Sequence, residues 1–172
     1  PQAGVVDLEV FADLLEIRAQ LDAEMTALAA ERRTPEDLRA LEAWLQRILE
    51  HQDQLIPYSE VLEELPLLVA QATHNRIYRM LVHWHRRVWR DLGDLILVVR
   101  KPSTQHVQGL QLLLQLIGSQ DVEGARALVR GFHQWATPVL LATAASHKEA
   151  SAAPPLAHIP TKIPQLSAQE LP

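Results

Sequence analysis

From Asp7 to Ala145 apolar residues recur at intervals of three and four, and nowhere does the chain sustain the apolar–polar alternation of a half-buried strand. That spacing stacks side chains on one face of an α-helix, so apolar surface has to be buried helix against helix. The expected fold is all-α: an antiparallel bundle of about six helices joined by short connections. With 172 residues and 48% apolar content, the chain has material for one sizeable core.

The first helix is expected from about Asp7 to Glu31, with Phe11, Leu14, Leu21, Met25 and Leu28 on one face. Thr34-Pro35-Glu36-Asp37 has the form of an N-cap followed by proline at the first helical position, and opens a second helix that ends before Pro57. The third, running to about Asn75, has Pro66 in its middle. An interior proline removes a backbone hydrogen bond and clashes with the preceding turn at a cost of roughly 3 kcal/mol, so a bend is expected there.

His74-Asn75 suits the cap of a long fourth helix from Arg76 to about Val99. Ile77, Leu81, Trp84, Val88, Leu92 and Leu95 form one apolar strip on it, and Tyr78, Val82 and Trp89 an adjoining one, which is the width expected of a central helix. Val107, Leu110, Leu113, Leu114 and Ile117 define a fifth helix closed by Gly118. Asp121 caps a sixth, with Ala125, Leu128, Phe132, Trp135 and Val139 facing inward and a kink at Pro138. Residues 1–145 therefore form the helical domain. From Ser146 the composition turns to alanine, serine and five prolines without a periodic apolar face, and 146–172 is expected to be a disordered tail.

Composition excludes several classes of function. Without cysteine there are no disulfides and no thiolate metal sites. No apolar run is long enough to span a bilayer and the amino terminus lacks a signal-peptide pattern, so the expected location is cytoplasmic, away from any membrane. A net charge of −5 speaks against phosphate neutralisation by this chain, and any DNA contact calls for another domain. The chain opens on Pro1 rather than methionine, which reads as a processed chain or part of a longer one. There is no glycine-rich phosphate loop, no nucleophile elbow and no pair of carboxylates on an apolar face, so no enzyme is expected.

Four stretches carry a family resemblance: Leu14-Leu-Glu-Ile-Arg-Ala-Gln-Leu-Asp22, Leu28-Ala-Ala-Glu-Arg32, Ala70-Gln-Ala-Thr-His-Asn75 and Asp121-Val-Glu-Gly-Ala-Arg126. Together they resemble FCD, the effector-binding domain of FadR-type GntR transcription regulators. The resemblance spans about Asp7 to Ala145 and implies a homodimer whose bundle binds a small metabolite, often a carboxylic acid. A winged helix-turn-helix domain, absent from this chain, would precede the bundle and carry the DNA contact. It also implies a divalent metal, held by an aspartate and a histidine one turn apart on helix three and by one histidine on each of the last two helices.

In this chain those positions fall on Leu62, Pro66, Leu110 and Phe132, none of which can ligate, so neither metal nor other cofactor is expected. His133 lies next to Phe132. Adjacent helical residues point about 100° apart, and with Phe132 in the apolar stripe His133 is expected on a flank. His83 and His85 point to different faces and offer no substitute cluster.

Arg18 falls within the apolar arc of the first helix. A guanidinium there pairs with a carboxylate of another helix or binds an acidic effector bidentately. His85 lies inside the apolar wedge of the fourth helix, as a satisfied core histidine or as a polar group on a pocket wall. The candidate ligand-binding residues are Arg18, Leu62, Pro66, Trp84, His85, Trp89, Leu110 and Phe132. Arg76, Arg79, His83, Arg86 and Arg90 make a basic stripe, either solvated or facing an acidic or polyanionic partner.

The expected function is a metal-independent sensor and dimerisation domain of a GntR-type regulator, with an organic acid or acyl-type small-molecule effector. The alternative is a module that dimerises with a filled core and senses nothing. A cavity between helices one, three, four and five distinguishes them.

Overall fold

The computed structural model describes residues 7–90 and 97–152, and for 88–90, 147, 148 and 150–152 the backbone alone. Seven helices are described: α1 (Leu8–Arg32), α2 (Pro35–Glu50), α3 (Leu55–Leu62), α4 (Leu65–Ala72), α5 (Arg76–Arg90), α6 (Thr104–Gly118) and α7 (Val122–Ala152). No strand occurs among the described residues, and the fold is all-α.

Local chemistry sets the helix ends. Asp7 accepts from the Glu9 N–H at the start of α1. Thr34 and Asp37 form a reciprocal capping box at α2, with Pro35 in its first turn. Asn75 Oδ1 accepts from Ile77 N–H at 2.9 Å, Ser103 caps α6 through the His106 N–H, and Asp121 accepts from the Gly124 N–H. Between α4 and α5 the backbone reverses at His74, whose φ of 53° is left-handed. Its ring reaches Asp37 Oδ2 at 2.9 Å and so fixes this turn to the start of α2.

The bend expected at Pro66 is a complete break. The chain closes α3 at Leu62 and opens α4 at Leu65, leaving Pro66 in the first turn of the new helix. The missing proline N–H is harmless there, because first-turn N–H groups have no intrahelical acceptor. Across the corner Glu64 N–H bonds Val61 O and Leu67 N–H bonds Glu64 O.

Among the described residues the central element is α1, where the wide apolar wedge of the helix from Arg76 suggested that helix. It packs against α7, α4 and α6, and Ala23, Met25, Thr26, Ala27, Ala29 and Ala30 are all buried. Small side chains let several neighbours approach it at once. Its outer half buries Phe11 and Leu15, with Leu14 only partly covered. In contrast α5 packs on α4 and leaves Ile77, Met80 and Trp84 exposed. Of its expected strips, Leu92 and Leu95 lie outside the described residues, as do the side chains of Val88 and Trp89.

Two apolar clusters result. The larger joins Leu41, Trp44 and Ile48 of α2 to Tyr58, Val61, Leu113, Leu114 and Ile117. Trp44 is fully buried and its Nε1–H donates to Val61 O at 2.7 Å, so its one polar atom is satisfied just before the α3–α4 corner. The smaller packs Phe11 and Leu15 on Val99, Ala136, Leu140 and Ala144. Pro138 lies within α7, which continues past Ser146 to Ala152 into the segment read as a disordered tail; residues 153–172 lie outside the described residues.

Candidate functional site

The two clusters do not close on each other. Between them lies a cavity of about 740 Å3, walled by α1, the α3–α4 corner, α6, α7 and the segment from Val98 to Ser103. Leu62, Pro66, Leu110 and Phe132 all line it, so the fold brings together four positions widely separated in sequence. Leu65, Val69 and Leu113 extend the apolar wall. Apolar side chains offer no donor atom to a metal. Among the described residues no group of three His, Cys, Asp or Glu is placed to hold an ion.

Arg18 stands on the cavity wall and pairs with a carboxylate of its own helix: its Nε–H donates to Asp22 Oδ2 at 3.0 Å. The same oxygen is 3.1 Å from Nε2 of His133. A carboxylate only accepts, so His133 carries its proton on Nε2. His133 is 7% exposed, which corrects its expected place on a flank. Phe132 and His133 both line the cavity, because the wall wraps far enough around α7 to admit two neighbouring directions.

Burial pushes the Asp22 carboxyl upward, but Arg18 and the His133 hydrogen bond outweigh it and hold the group below its ordinary value. The wall therefore presents an anion shared by two donors. Burial lowers the pKa of His85, Arg18 lowers it further and Asp22 partly offsets them. His85 is buried but does not line the cavity, and its Nε2 has no hydrogen-bond partner. Trp84 is 56% exposed and lies off the cavity, because α5 turns that row to the surface. The Trp89 side chain lies outside the described residues.

An aromatic group adjoins the apolar wall. Burial raises the Tyr58 hydroxyl to about 12; it stays protonated and donates to His106 Nδ1 at 3.1 Å. Burial keeps the His106 pKa low, favouring the neutral ring that accepts this bond. The His106 and Phe132 rings are nearly parallel, 8° apart with centroids at 6.2 Å, and Trp135 follows at 5.8 Å from Phe132. Beside them Arg100 pairs with Glu63 at 2.6 Å and ties the segment before α6 to the α3–α4 corner.

Sequence reasoning missed Asp22, His106 and Trp135 as lining residues and misplaced His133. One signal for Asp22 was present: it lies four residues after Arg18, hence on the same helical face.

An all-α domain with a large, mainly apolar cavity and one polar wall is a ligand-binding architecture. The sequence model of the FCD domain matches residues 13–133, and the chain belongs to the FCD family. It is an effector-binding domain of the GntR type of transcription regulator, a regulatory and not an enzymatic family whose members bind effectors and dimerise. Among solved structures, E. coli McbR/YncC is similar in fold, with a TM-score of 0.64 at 22% identity over 81% of this chain and 70% of that one. No curated protein matches the chain. No helix among the described residues is long and apolar enough to cross a membrane.

Proposed function

We propose that this domain senses an acyl-type effector without a metal and, as a homodimer, passes its occupancy to a DNA-binding domain outside this chain. The observation that carries the reading is the cavity of about 740 Å3 lined by Leu62, Pro66, Leu110 and Phe132, the positions where the resemblance implies metal ligands, with apolar side chains at all four. That volume lies within the usual range for small-molecule sites, roughly 300–1,000 Å3. A filled-core module would need close packing between α1, the α3–α4 corner and α6, where the cavity lies.

The polar wall supports one of the two ligand chemistries the sequence suggested. Arg18 and His133 supply N–H groups, but both already serve the ionised Asp22. A second carboxylate there meets like charge, whereas the carbonyl of an amide, ester or thioester accepts from Arg18 without adding charge. An acyl carbonyl is therefore the better fit, with the hydrocarbon part against Leu62, Pro66 and Leu110.

Isothermal titration calorimetry with octanamide and octanoate tests this. Octanamide binds more tightly than octanoate, with unchanged affinity in EDTA or added zinc. Arg18→Ala weakens octanamide by about tenfold, the worth of one hydrogen bond to a charged group. Binding of neither probe, or binding that requires zinc, contradicts the proposal.

A further inference from the structure

Glycine within a helix is disfavoured against alanine, since it loses more backbone freedom on folding and packs nothing. On α6, Gly109 lies between Gln105 and Leu113; on α7, Gly131 lies between Ala127 and Trp135. Each is four residues from its neighbours, hence on one row of its helix, and all six residues line the cavity. A β-carbon on either glycine would meet no atom within 4 Å. At Gly124, by contrast, it would collide with the Asp121 carboxylate that caps α7. Packing inside the chain thus accounts for Gly124 and leaves Gly109 and Gly131 unexplained.

The wall beside them is aromatic. Phe132 is 40% and Trp135 55% exposed, in a chain that buries Trp44 and Tyr58 completely. Their ring planes are 51° apart with centroids at 5.8 Å, which leaves ring surface open to a third partner.

We propose that the open space over Gly109 and Gly131 on the cavity wall is a slot that admits a flat aromatic ring, with Phe132 and Trp135 packing against it, so that the effector is an acyl compound bearing an aryl group. This deepens the effector reading and rests on it. The slot takes the ring, the leucine- and proline-lined wall takes the aliphatic part, and Arg18 takes the carbonyl. The two glycines are specificity-determining positions, their open space serving the ligand rather than the fold.

Calorimetric titration of the full chain with 2-naphthylacetamide and octanamide tests the slot, on the wild type and on Gly109→Leu, Gly131→Leu and Trp135→Leu. Gly109→Ala and Gly131→Ala serve as milder blocks that favour the helix. The wild type is expected to bind the naphthyl probe about tenfold more tightly than octanamide, and each leucine variant to lose about tenfold on the naphthyl probe with little change for octanamide, on the scale set by a misfitted group in an apolar pocket. The alanine variants keep or raise the melting temperature and show a smaller loss of the same selectivity. If both probes bind and every variant treats them as the wild type does, or weakens them equally, the slot is wrong while the effector cavity stands. If neither probe binds the wild type, the cavity reading and the slot fall together.

Discussion

His133 on α7 donates its Nε2–H to Asp22 Oδ2 on α1 across 3.1 Å, and that oxygen also accepts from Arg18 at 3.0 Å. One carboxylate oxygen thus joins the central helix to the last one at the wall of the cavity. The proposed ligand contact and domain stability meet at this group.

The acid limb of the stability curve follows from it. Asp22 has a folded pKa below its ordinary 3.8, so the unfolded chain takes up the proton first. The stabilisation is complete above 3.8 and is lost as pH falls through the lower folded value. Urea denaturation between pH 6 and pH 2.5 is expected to show Asp22→Asn less stable than wild type at pH 6, with the difference shrinking toward pH 2.5. A difference that stays constant across that range contradicts the assignment.

Near neutrality two histidines set the slope. Burial lowers the pKa of both His85 and His106 below 6.5, so the unfolded state again binds protons first. Their contribution is full above 6.5 and is lost as pH falls from there through their folded values. His106→Phe removes part of this slope and strands the Tyr58 hydroxyl, costing about 1 kcal/mol at pH 7.5. Melting curves from pH 5 to pH 8 check it, and an unchanged slope in both His85→Phe and His106→Phe would falsify the account of these rings.

Arg18→Ala leaves the Asp22 carboxylate to His133 on a largely buried wall, and the expected loss at pH 7 is roughly 2 kcal/mol. Arg18→Lys, which lacks the planar fork, recovers stability only in part. Full stability in Arg18→Ala, read by urea titration, contradicts the structural role.

The turn at His74 offers a test away from the cavity. With φ at 53°, any β-carbon is strained, and about 1 kcal/mol separates glycine from other residues in this conformation. His74→Gly is therefore expected to be more stable than His74→Ala by about that amount. Equal melting temperatures for the two would mean that the turn relaxes.

What the sequence made legible is local. The Thr34-Pro35 cap, the Asp121 start, the Gly118 stop and a departure from the helix near Pro66 each rest on local chemistry within one turn, and the structure has them, the last as a break rather than a bend. The four cavity positions Leu62, Pro66, Leu110 and Phe132 came through the family resemblance, and they meet because α3, α4, α6 and α7 converge. Rotation of a helix about its axis was not legible. Periodicity locates an apolar arc to within about one residue's 100°, which is the error that sent His133 to a flank and chose Leu14 over Leu15. Centrality was misread for a related reason. A helix rich in alanine, such as the second half of α1, looks less apolar than α5, yet among the described residues it packs more neighbours because its surface is small.

The central claim is that an acyl-type effector fills this cavity without a metal. Native mass spectrometry of the purified chain, followed by denaturing identification of whatever is released, tests it most directly. The account predicts a dimer free of metal that carries a small organic compound with an acyl group. A dimer carrying a stoichiometric transition metal, or one that stays empty after incubation with both octanamide and 2-naphthylacetamide, contradicts it.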